Sequence, residues 1–417
     1  MILNLKRCLR TAVQLFIGLI FFPFYAFLAP VSALISSTTK THRYLWGTVP
    51  IRTINLAKEA QRAAGLISDD VVLEEYKSSD TANFSYVLDP TWTDNRALKF
   101  LVRNTAVHFF FLFALFRYSH FHFFFDGGVL RQTIFWKIEF HILKATGKKI
   151  ILLPYGNDSF VYRKLEHFDW LSALRMDYPR STQEDLEIEK KIQFLSSFAD
   201  VVVGSVVHHI NLPQVDIWPV IWFPVRPIAR KTNAFSEKKI KILHAANHRN
   251  IKGTDYIEKA IETLSVSYPI EFVLIEGKSH SSVMEELIKT DIVIDQLFFG
   301  YSLFAAEAMA LGKVVLSCLG QDSPLYEKFR SDSYLDECPI ISVNEANLES
   351  ELRRLFSARD AWPKISQANL NYVHKYHSQD TFNHMMMACY NAIAENSIEK
   401  LEGYFVNENY SSSSQRR

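Results

Sequence analysis

The sequence has little cysteine and almost no net charge. Its four cysteines are scattered among 417 residues without CxxC or CxxxC spacing, which argues against a zinc knuckle or a disulfide framework and fits a reducing compartment. The formal net charge is +1, so the whole chain gives no indication of nucleic-acid binding. The sequence also lacks an HExxH motif, an acidic DxD-like site, an internal repeat and a heptad run. We therefore predict no metal site, no cofactor and no nucleic-acid partner.

What the chain does contain is enough apolar sequence for two folded domains. The hydrophobic fraction is 48% and the charged fraction 22%, as in folded proteins with a core. A length of 417 residues exceeds that of one ordinary domain. Charge is uneven, because residues 1–62 carry eight basic side chains and one acidic side chain, Glu59.

The N-terminal segment 11–35 is almost wholly apolar and long enough to cross a bilayer. It could be a spanning helix, a signal peptide cleaved near Ala33, or a segment lying in the membrane surface and bent at Pro23 and Pro30. Basic residues on both sides favour the third interpretation. The prediction is a membrane-associating segment over 1–40, with the protein on the cytoplasmic face of the inner or plasma membrane.

The C-terminal half alternates regularly between short apolar strands and amphipathic helices. This pattern predicts βαβ units and a parallel sheet, which binds ligands at the carboxyl ends of its strands. The N-terminal half repeats the pattern less cleanly, so a second sheet is expected there. The predicted boundaries are 41–225 for the N-terminal domain, 226–238 for a linker, 239–360 for the C-terminal domain, 361–400 for helices packing across the junction, and 401–417 for a disordered tail.

Two stretches of the C-terminal half could bind phosphate. Lys252 and Gly253 begin the first helix after a strand, where a cation and free N–H groups suit a diphosphate; a solvated loop capped by Thr254 is the alternative. The second stretch is FGYSLFAAEAMALGKVV, a glycine-bearing turn followed by a helix of small residues with one acid, Glu307. That acid could face a sugar hydroxyl, or be one tolerated polar residue.

Together these stretches carry a family resemblance. The run KGTDYIEKAIETL, then LIEG, DIVIDQL and GYSLFAAEAMALGKVV, resembles the nucleotide-sugar half of retaining GT-B glycosyltransferases, including bacterial enzymes of surface-polysaccharide synthesis. The likeness is strong over about 240–320 and fades into 40–160. GTVPIRTINLAKEAQRAAG resembles the family's glycine turn near the acceptor, and HFHFFFDGG and PYGND stand where the family has loops facing the cleft. The resemblance implies two Rossmann-like domains facing a central cleft.

The resemblance also implies roles for individual residues. Glu307 matches the second acid of the Glu-x7-Glu signature, which contacts the donor ribose, and Lys252 matches the lysine that holds the diphosphate. Two positions depart from the pattern: Phe299 stands where the first acid belongs, and Asn247 stands where an arginine is usual, so that Arg249 could supply that charge. The predicted donor-binding set is Asn247, Arg249, Lys252, Gly253, Gly300, Tyr301, Ser302, Leu303 and Glu307.

The acceptor side is predicted from strand ends of the N-terminal half. Asp158 follows a strand, where a carboxylate can bind a sugar hydroxyl or orient a base, although a local Asn-Asp turn is an equal alternative. His120 and His122 alternate with phenylalanines and share one face of a strand, either in the core or in the cleft. The predicted acceptor-side set is Gly47, Thr48, His120, His122, Asn157 and Asp158; the predicted catalytic residues are Lys252, Glu307 and Asp158.

The predicted function is transfer of a hexose from a nucleoside diphosphate sugar to a lipid-linked or growing glycan, with retention and without metal. The diphosphate would be stabilised by Lys252, Arg249 and the N–H groups before Leu303. Expected partners are the nucleotide sugar, the acceptor and the membrane surface. Three alternatives are a nucleotide-sugar epimerase, a non-catalytic subunit of the same fold and an exported sugar-binding protein.

Overall fold

A computed structural model describes residues 2–38, 41–74, 83–165, 168–205, 211–226, 235, 239–298, 300–320, 330 and 333–406. Phe299, most of the predicted linker 226–238 and residues 407–417 of the predicted tail lie outside these ranges.

The N-terminal domain is built on a parallel sheet of six strands. The strand order is β3-β2-β1-β4-β5-β6, and the strands are buried on both faces because helices cover each side. Its elements are α1 Ile2–Thr38, β1 Arg43–Thr48, α2 Arg52–Ala63, β2 Ile67–Val72, β3 Tyr86–Val87, α3 Arg96–Arg117, β4 His120–Phe124, α4 Trp136–Ala145, β5 Lys149–Leu153, α5 Phe168–Asp177, α6 Pro179–Gln183, α7 Asp185–Ser196 and β6 Val201–Val202.

The C-terminal domain is built on a second parallel sheet, of five strands in the order β11-β10-β9-β7-β8. Its elements are β7 Ile240–Ala246, α8 Arg249–Lys252, α9 Thr254–Ser265, β8 Ile270–Glu276, α10 His280–Lys289, β9 Ile292–Ile294, α11 Leu303–Ala310, β10 Val314–Ser317, β11 Ile341–Ser342 and α12 Leu348–Ser357. Two helices follow, α13 Trp362–Tyr376 and α14 Gln379–Glu395. The predicted α/β architecture, with two parallel Rossmann-like sheets, is confirmed.

The last helix joins the two domains. On α14, Tyr390 Oη accepts a hydrogen bond of 2.6 Å from Gln61 Nε2 of α2, and Asn383 Nδ2 donates one of 2.9 Å to the Ala60 carbonyl. The folded chain continues past the predicted start of the tail at residue 401, because Leu401 and Phe405 are buried against the core.

The structure differs from the sequence prediction at the start of the N-terminal sheet. Gly47 and Thr48, predicted to lie in a turn on the acceptor side, are buried residues of β1. A Cβ on Gly47 would lie 2.8 Å from Val71 Cγ1 of the neighbouring strand, so this glycine allows close strand packing rather than ligand contact. The chain leaves the strand only at Val49, and the residues that follow reach the cleft.

The N-terminal apolar segment forms a single helix that continues through Pro23 and Pro30, where bends are predicted. By length and composition, two helices could cross a membrane in the part of the chain that is described: α1 from Cys8 and α3. The apolar run 109–125 divides into the end of α3 and strand β4.

Candidate active site

The loops at the carboxyl ends of both sheets enclose one cleft of about 560 Å³. Parallel sheets place their loops this way, so residues far apart in sequence meet there. The cleft is lined from the N-terminal domain by the segments after β1 and β5, and from the C-terminal domain by those after β7, β8 and β9 and by the start of α11.

Lys252 stands at the centre of a charged cluster in this cleft. Its Nζ lies 2.6 Å from Asp295 Oδ1 and 3.2 Å from Ser302 Oγ. Asp295 is fully buried just after β9 and also accepts hydrogen bonds from the Ser302 N–H and hydroxyl. Within the part of the chain that the structure describes, two of the three ammonium donors are held by protein atoms, which leaves the third for a ligand in the cleft.

Glycines shape the backbone beside this cluster without lining the cleft themselves. Gly253 has a φ of +71°, ends α8 and occupies the N-cap position of α9. Thr254, the N-cap in the alternative interpretation, instead places its hydroxyl 2.9 Å from the buried His244 Nε2. Gly300 has a φ of +66° and directs its carbonyl to Ser317 Oγ. Both positions need glycine because other residues rarely adopt this left-handed region.

Glu307 lies on α11 and is buried at the edge of the cleft. Its Oε1 accepts a hydrogen bond of 3.0 Å from Arg52 Nη1, which comes from the N-terminal domain across the cleft. His280 Nε2, from the start of α10, lies 3.1 Å from both carboxylate oxygens. The carboxylate is therefore oriented by partners from both domains, an arrangement that suits an acceptor of hydroxyl hydrogen bonds.

The turn before α11 is anchored from behind. Tyr301 is buried, and its hydroxyl lies 2.7 Å from His377 Nε2 and 3.2 Å from Tyr372 Oη. Burial raises the pKa of Tyr301 well above its ordinary value, so it stays a neutral phenol. The alanines of α11 are buried against the sheet, which lets this short helix approach it closely. The N-terminal end of α11, with Ser302 and Leu303, thereby faces the cleft.

The N-terminal domain contributes an aromatic wall to the same cleft. Its members are Tyr155, Phe160, Trp170, Tyr178, Trp222 and Phe223. Tyr178 Oη lies 3.0 Å from His248 Nε2, so this wall contacts the C-terminal domain directly. Asp177 supports the contact, since it accepts hydrogen bonds from Asn250 Nδ2 and from the Ile251 N–H.

The structure brings only part of the predicted set together. In the cleft are Lys252 and Glu307 with Asn247, Asn157, Tyr301, Ser302 and Leu303. Arg249 is not among the lining residues, because it forms ion pairs with Asp255 and Glu258 of α9 and with Glu276 at the end of β8. The predicted contribution of Arg249 to diphosphate binding is therefore not supported by its position.

Asp158 holds the loop rather than facing the cleft. Its two oxygens accept hydrogen bonds from the N–H groups of Phe125, Tyr155 and Gly156, with donor–acceptor distances of 2.9–3.1 Å. Burial, with the charge of nearby Asp126, raises the pKa of Asp158 to about 8. The three hydrogen bonds fix the strand-end loops that present Tyr155 and Asn157, so Asp158 is a positioning residue and the predicted direct catalytic role does not fit its place.

His120 and His122 belong to the core, not to the acceptor side of the cleft. The His122 ring stacks on Trp46 at 3.9 Å between centroids, and its Nε2 lies 2.8 Å from Tyr390 Oη of α14. Burial lowers the pKa of His120 to about 3 and the pKa of His122 well below its ordinary value, so both rings are neutral. Their alternating pattern correctly predicts a shared face, but that face packs against α14.

The sequence prediction lacks the whole aromatic wall, and it also lacks Arg52, His280 and Asp295, the partners of Glu307 and Lys252. Asp295 carries a local signal, since it is an acid directly after a buried strand. Arg52 and His280 carry none, because their partner Glu307 is 255 and 27 residues away. Among the described residues no group of three or more His, Cys, Asp or Glu side chains could hold a metal ion.

Comparison with known proteins yields only distant structural likeness. No family model and no curated protein matches the sequence. The structure is similar to Anabaena Alr3699/HepE in complex with UDP-glucose, at 9% identity over 84% of this chain and 99% of that chain, with a TM-score of 0.49. It is also similar to the glycosyltransferase SnogD from Streptomyces nogalater, at 12% identity over 84% and 99% with a TM-score of 0.43. A third is the wall teichoic acid polymerase TagF, at 11% identity over 93% and 99% with a TM-score of 0.40. At these identities and scores the likenesses assign no function to this chain.

Proposed function

We propose that this protein is a glycosyltransferase that binds a nucleoside diphosphate sugar in the interdomain cleft. The observation that carries this proposal is that Lys252, in contact with Ser302 at the N-cap of α11, and Glu307, within α11, line the same cleft at the carboxyl ends of the C-terminal strands. A cation beside a helix N-terminus suits a diphosphate, and an oriented carboxylate suits ribose hydroxyls.

In this proposal the C-terminal domain performs the electrostatic part of the reaction. Negative charge builds up on the leaving diphosphate as the bond to the sugar breaks. Lys252 and the N–H groups at the start of α11 stabilise that charge, and these groups take the place of a divalent metal. Glu307 holds the ribose, and the sugar transferred is a hexose whose anomeric configuration is retained.

The aromatic wall of the N-terminal domain forms the acceptor side. Flat apolar rings fit the faces of sugar rings, and hydroxyl and amide groups such as Tyr178 and Asn157 supply the hydrogen bonds that orient them. The acceptor is accordingly a glycan or a lipid-linked sugar, as in synthesis of a surface polysaccharide. We place the reaction at the cytoplasmic face of the membrane, where nucleotide sugars and a lipid-linked acceptor meet.

The test is a panel of nucleoside diphosphate sugars added to the purified full-length chain. A true donor raises the unfolding temperature, because it binds the native state alone, and it releases nucleoside diphosphate when acceptor is supplied. The anomeric configuration of the product, read by NMR, tests retention, and EDTA tests the metal requirement.

Two of the alternatives have their own outcomes in this experiment. A new sugar nucleotide formed without acceptor supports an epimerase. A thermal shift without release or transfer supports a non-catalytic subunit. No shift with any nucleoside diphosphate sugar would overturn the proposal.

A further inference from the structure

The exposed large apolar side chains of this protein are concentrated on two neighbouring helices. On α1, a narrow stripe faces the domain, with Ile17, Phe21 and Tyr25 buried. The rest of the helix circumference is apolar and exposed, with 67% of Phe16 and 75% of Phe27 accessible. The exposed face of a surface helix in a soluble domain normally carries polar residues. The exposed apolar face of α1 is therefore suited to an apolar environment.

Helix α3 extends the same surface. Its exposed apolar residues recur at helical spacing and form one stripe: Leu98, Leu101, Phe109, Phe113 and Phe116. The two surfaces are continuous, since the ring of Phe109 contacts that of Phe21 with centroids 4.8 Å apart. Exposed apolar area on this scale, shared by two elements, marks an interaction surface.

The charge around this surface has one sign on both helices. Neither α1 nor α3 contains an aspartate or a glutamate, and the first acid of the whole chain is Glu59. Arg10 lies over the ring of Phe100 at the amino-terminal end of the pair. Lys99 and Arg103 are partly neutralised by Asp89, so the excess positive charge comes from the start of α1. An apolar face with basic residues at its end complements anionic phospholipid.

The attachment of α1 to the domain decides how it can meet a membrane. Polar contacts hold it along its length: Gln14 Nε2 donates to Asn104 Oδ1, Tyr25 Oη lies 2.5 Å from His108 Nδ1, and Ser32 Oγ donates to the Leu115 carbonyl. Near its end, Ser36 Oγ accepts from Lys148 Nζ at 2.7 Å. A helix bound in this way by the folded domain cannot cross a bilayer without being detached from that domain.

The same contacts orient the surface relative to the cleft. Gln14 also donates to the carbonyl of Gln132, in the loop that follows β4, whereas Ser36 lies beside the start of β5. The amino-terminal halves of α1 and α3 therefore lie at the edge of the sheet where the cleft opens.

We propose that α1 and α3 together form a monotopic membrane platform, which inserts its exposed apolar face into one leaflet containing anionic phospholipid. Neither helix crosses the bilayer, and α1 remains part of the mature chain. The platform does not depend on the proposed transferase activity, and its tests use no nucleotide sugar.

The first test measures co-sedimentation of the full-length protein with vesicles. Binding to phosphatidylcholine vesicles containing phosphatidylglycerol is expected, and weaker binding to phosphatidylcholine alone. Phe27→Glu on α1 and Leu101→Glu on α3 should each weaken binding about tenfold or more, because a carboxylate enters the apolar face. Val266→Glu is the matched control, since Val266 is 88% exposed on the other domain and should leave binding unchanged.

Circular dichroism checks that each variant is folded. If Leu101→Glu folds and binds like the wild-type chain, α3 is not part of the platform. If the wild-type protein binds neither kind of vesicle and forms a dimer that Phe27→Glu dissociates, a second copy covers this face and the proposal fails.

The second test measures topology with a membrane-impermeant maleimide on sealed vesicles carrying the protein. Cys8 is exposed near the start of α1, and Ser37→Cys places a second thiol near its end. Peptide mass spectrometry reads which site reacts. Labelling of both thiols from the same side is expected. A thiol that reacts only after the vesicles are opened with detergent would show a spanning helix, and loss of the Cys8 peptide from the mature chain would show cleavage; either result overturns the proposal.

Discussion

The C-terminal domain lines the cleft with charged and polar side chains, whereas the N-terminal domain lines it mainly with aromatic ones. Both walls are built from loops at the carboxyl ends of a parallel sheet, so the fold offers the same positions in each domain. The difference lies in the residues at those positions: Lys252 and Glu307 on one side, with buried Asp295 behind Lys252, and Trp170, Tyr178 and Trp222 on the other. The shared architecture positions the groups, and the loop residues determine the chemistry.

Behind the two walls the domains are alike, because each sheet contains a buried histidine that makes the same two kinds of contact. The Nδ1 of His122 on β4 lies 3.2 Å from the Leu45 carbonyl of the next strand, and its Nε2 meets the Tyr390 hydroxyl. The Nδ1 of His244 on β7 lies 2.8 Å from the Ile294 carbonyl, and its Nε2 meets the Thr254 hydroxyl. Each neutral ring thus ties its sheet to a helix: α14 in one domain, α9 beside Lys252 in the other.

The largest effect is expected from removing the charge of the C-terminal wall. Lys252→Ala should lower the transfer rate by about 10²–10³-fold, the usual cost of deleting one preorganised donor to a developing negative charge. The rate is measured as nucleoside diphosphate release under donor saturation. Because the variant leaves Asp295 buried without its cation, circular dichroism must show that it is folded.

Two further variants sharpen that test. Lys259→Ala, an exposed lysine of α9, is the matched control and should retain the wild-type rate. Arg249→Ala tests the predicted role of Arg249 in binding the donor diphosphate. Because Arg249 lies outside the cleft, its effect on the rate should be much smaller than that of Lys252→Ala. Equal losses in Lys252→Ala and Lys259→Ala would show that this wall does not stabilise the leaving group.

The buried histidines predict a loss of stability in acid. Burial lowers the pKa of His244 from its ordinary 6.5 to about 4, so the folded state keeps the ring neutral while the unfolded chain takes up a proton below pH 6.5. This contribution is present above pH 6.5 and is lost as pH falls to about 4, by up to about 3 kcal/mol. Urea unfolding of wild type and His244→Gln across this range should give a shallower dependence for the variant. Parallel curves would contradict the prediction.

A smaller effect is expected from the ion pair that joins the two walls. A double-mutant cycle of Arg52→Met and Glu307→Gln should give a coupling free energy of about 1–3 kcal/mol in thermal unfolding, because the Arg52 and Glu307 side chains are only 10% and 8% exposed. The exposed pair Lys289–Glu286 is the matched control, for which a much smaller coupling free energy is expected because solvent screens the charges. A coupling no larger than in the control would mean that the pair does not connect the domains.

Much of the C-terminal sheet could be predicted because its signals are local. The helix of small residues predicted around Glu307 is α11, Leu303–Ala310, and the predicted alternation of short apolar strands with helices includes strand β8, Ile270–Glu276. Continuous apolar runs between amphipathic helices identify buried parallel strands without knowledge of their neighbours. Strand β1 was missed, since RYLWGT includes arginine and glycine, and its place beside β2 and β4 depends on pairing across the sheet.

The sequence by itself determined the two-domain α/β fold, the position of Lys252 and Glu307 at strand ends, and an apolar N-terminal helix. All of these depend on periodicity and on residues close together in the chain. Only the tertiary structure decided which polar residues reach the cleft: it buried Asp158 and His122, turned Arg249 outward and brought Arg52 to Glu307. It also placed α1 along α3. These outcomes depend on partners tens to hundreds of residues away, and the burial and pairing that settle them exist only when the chain is folded.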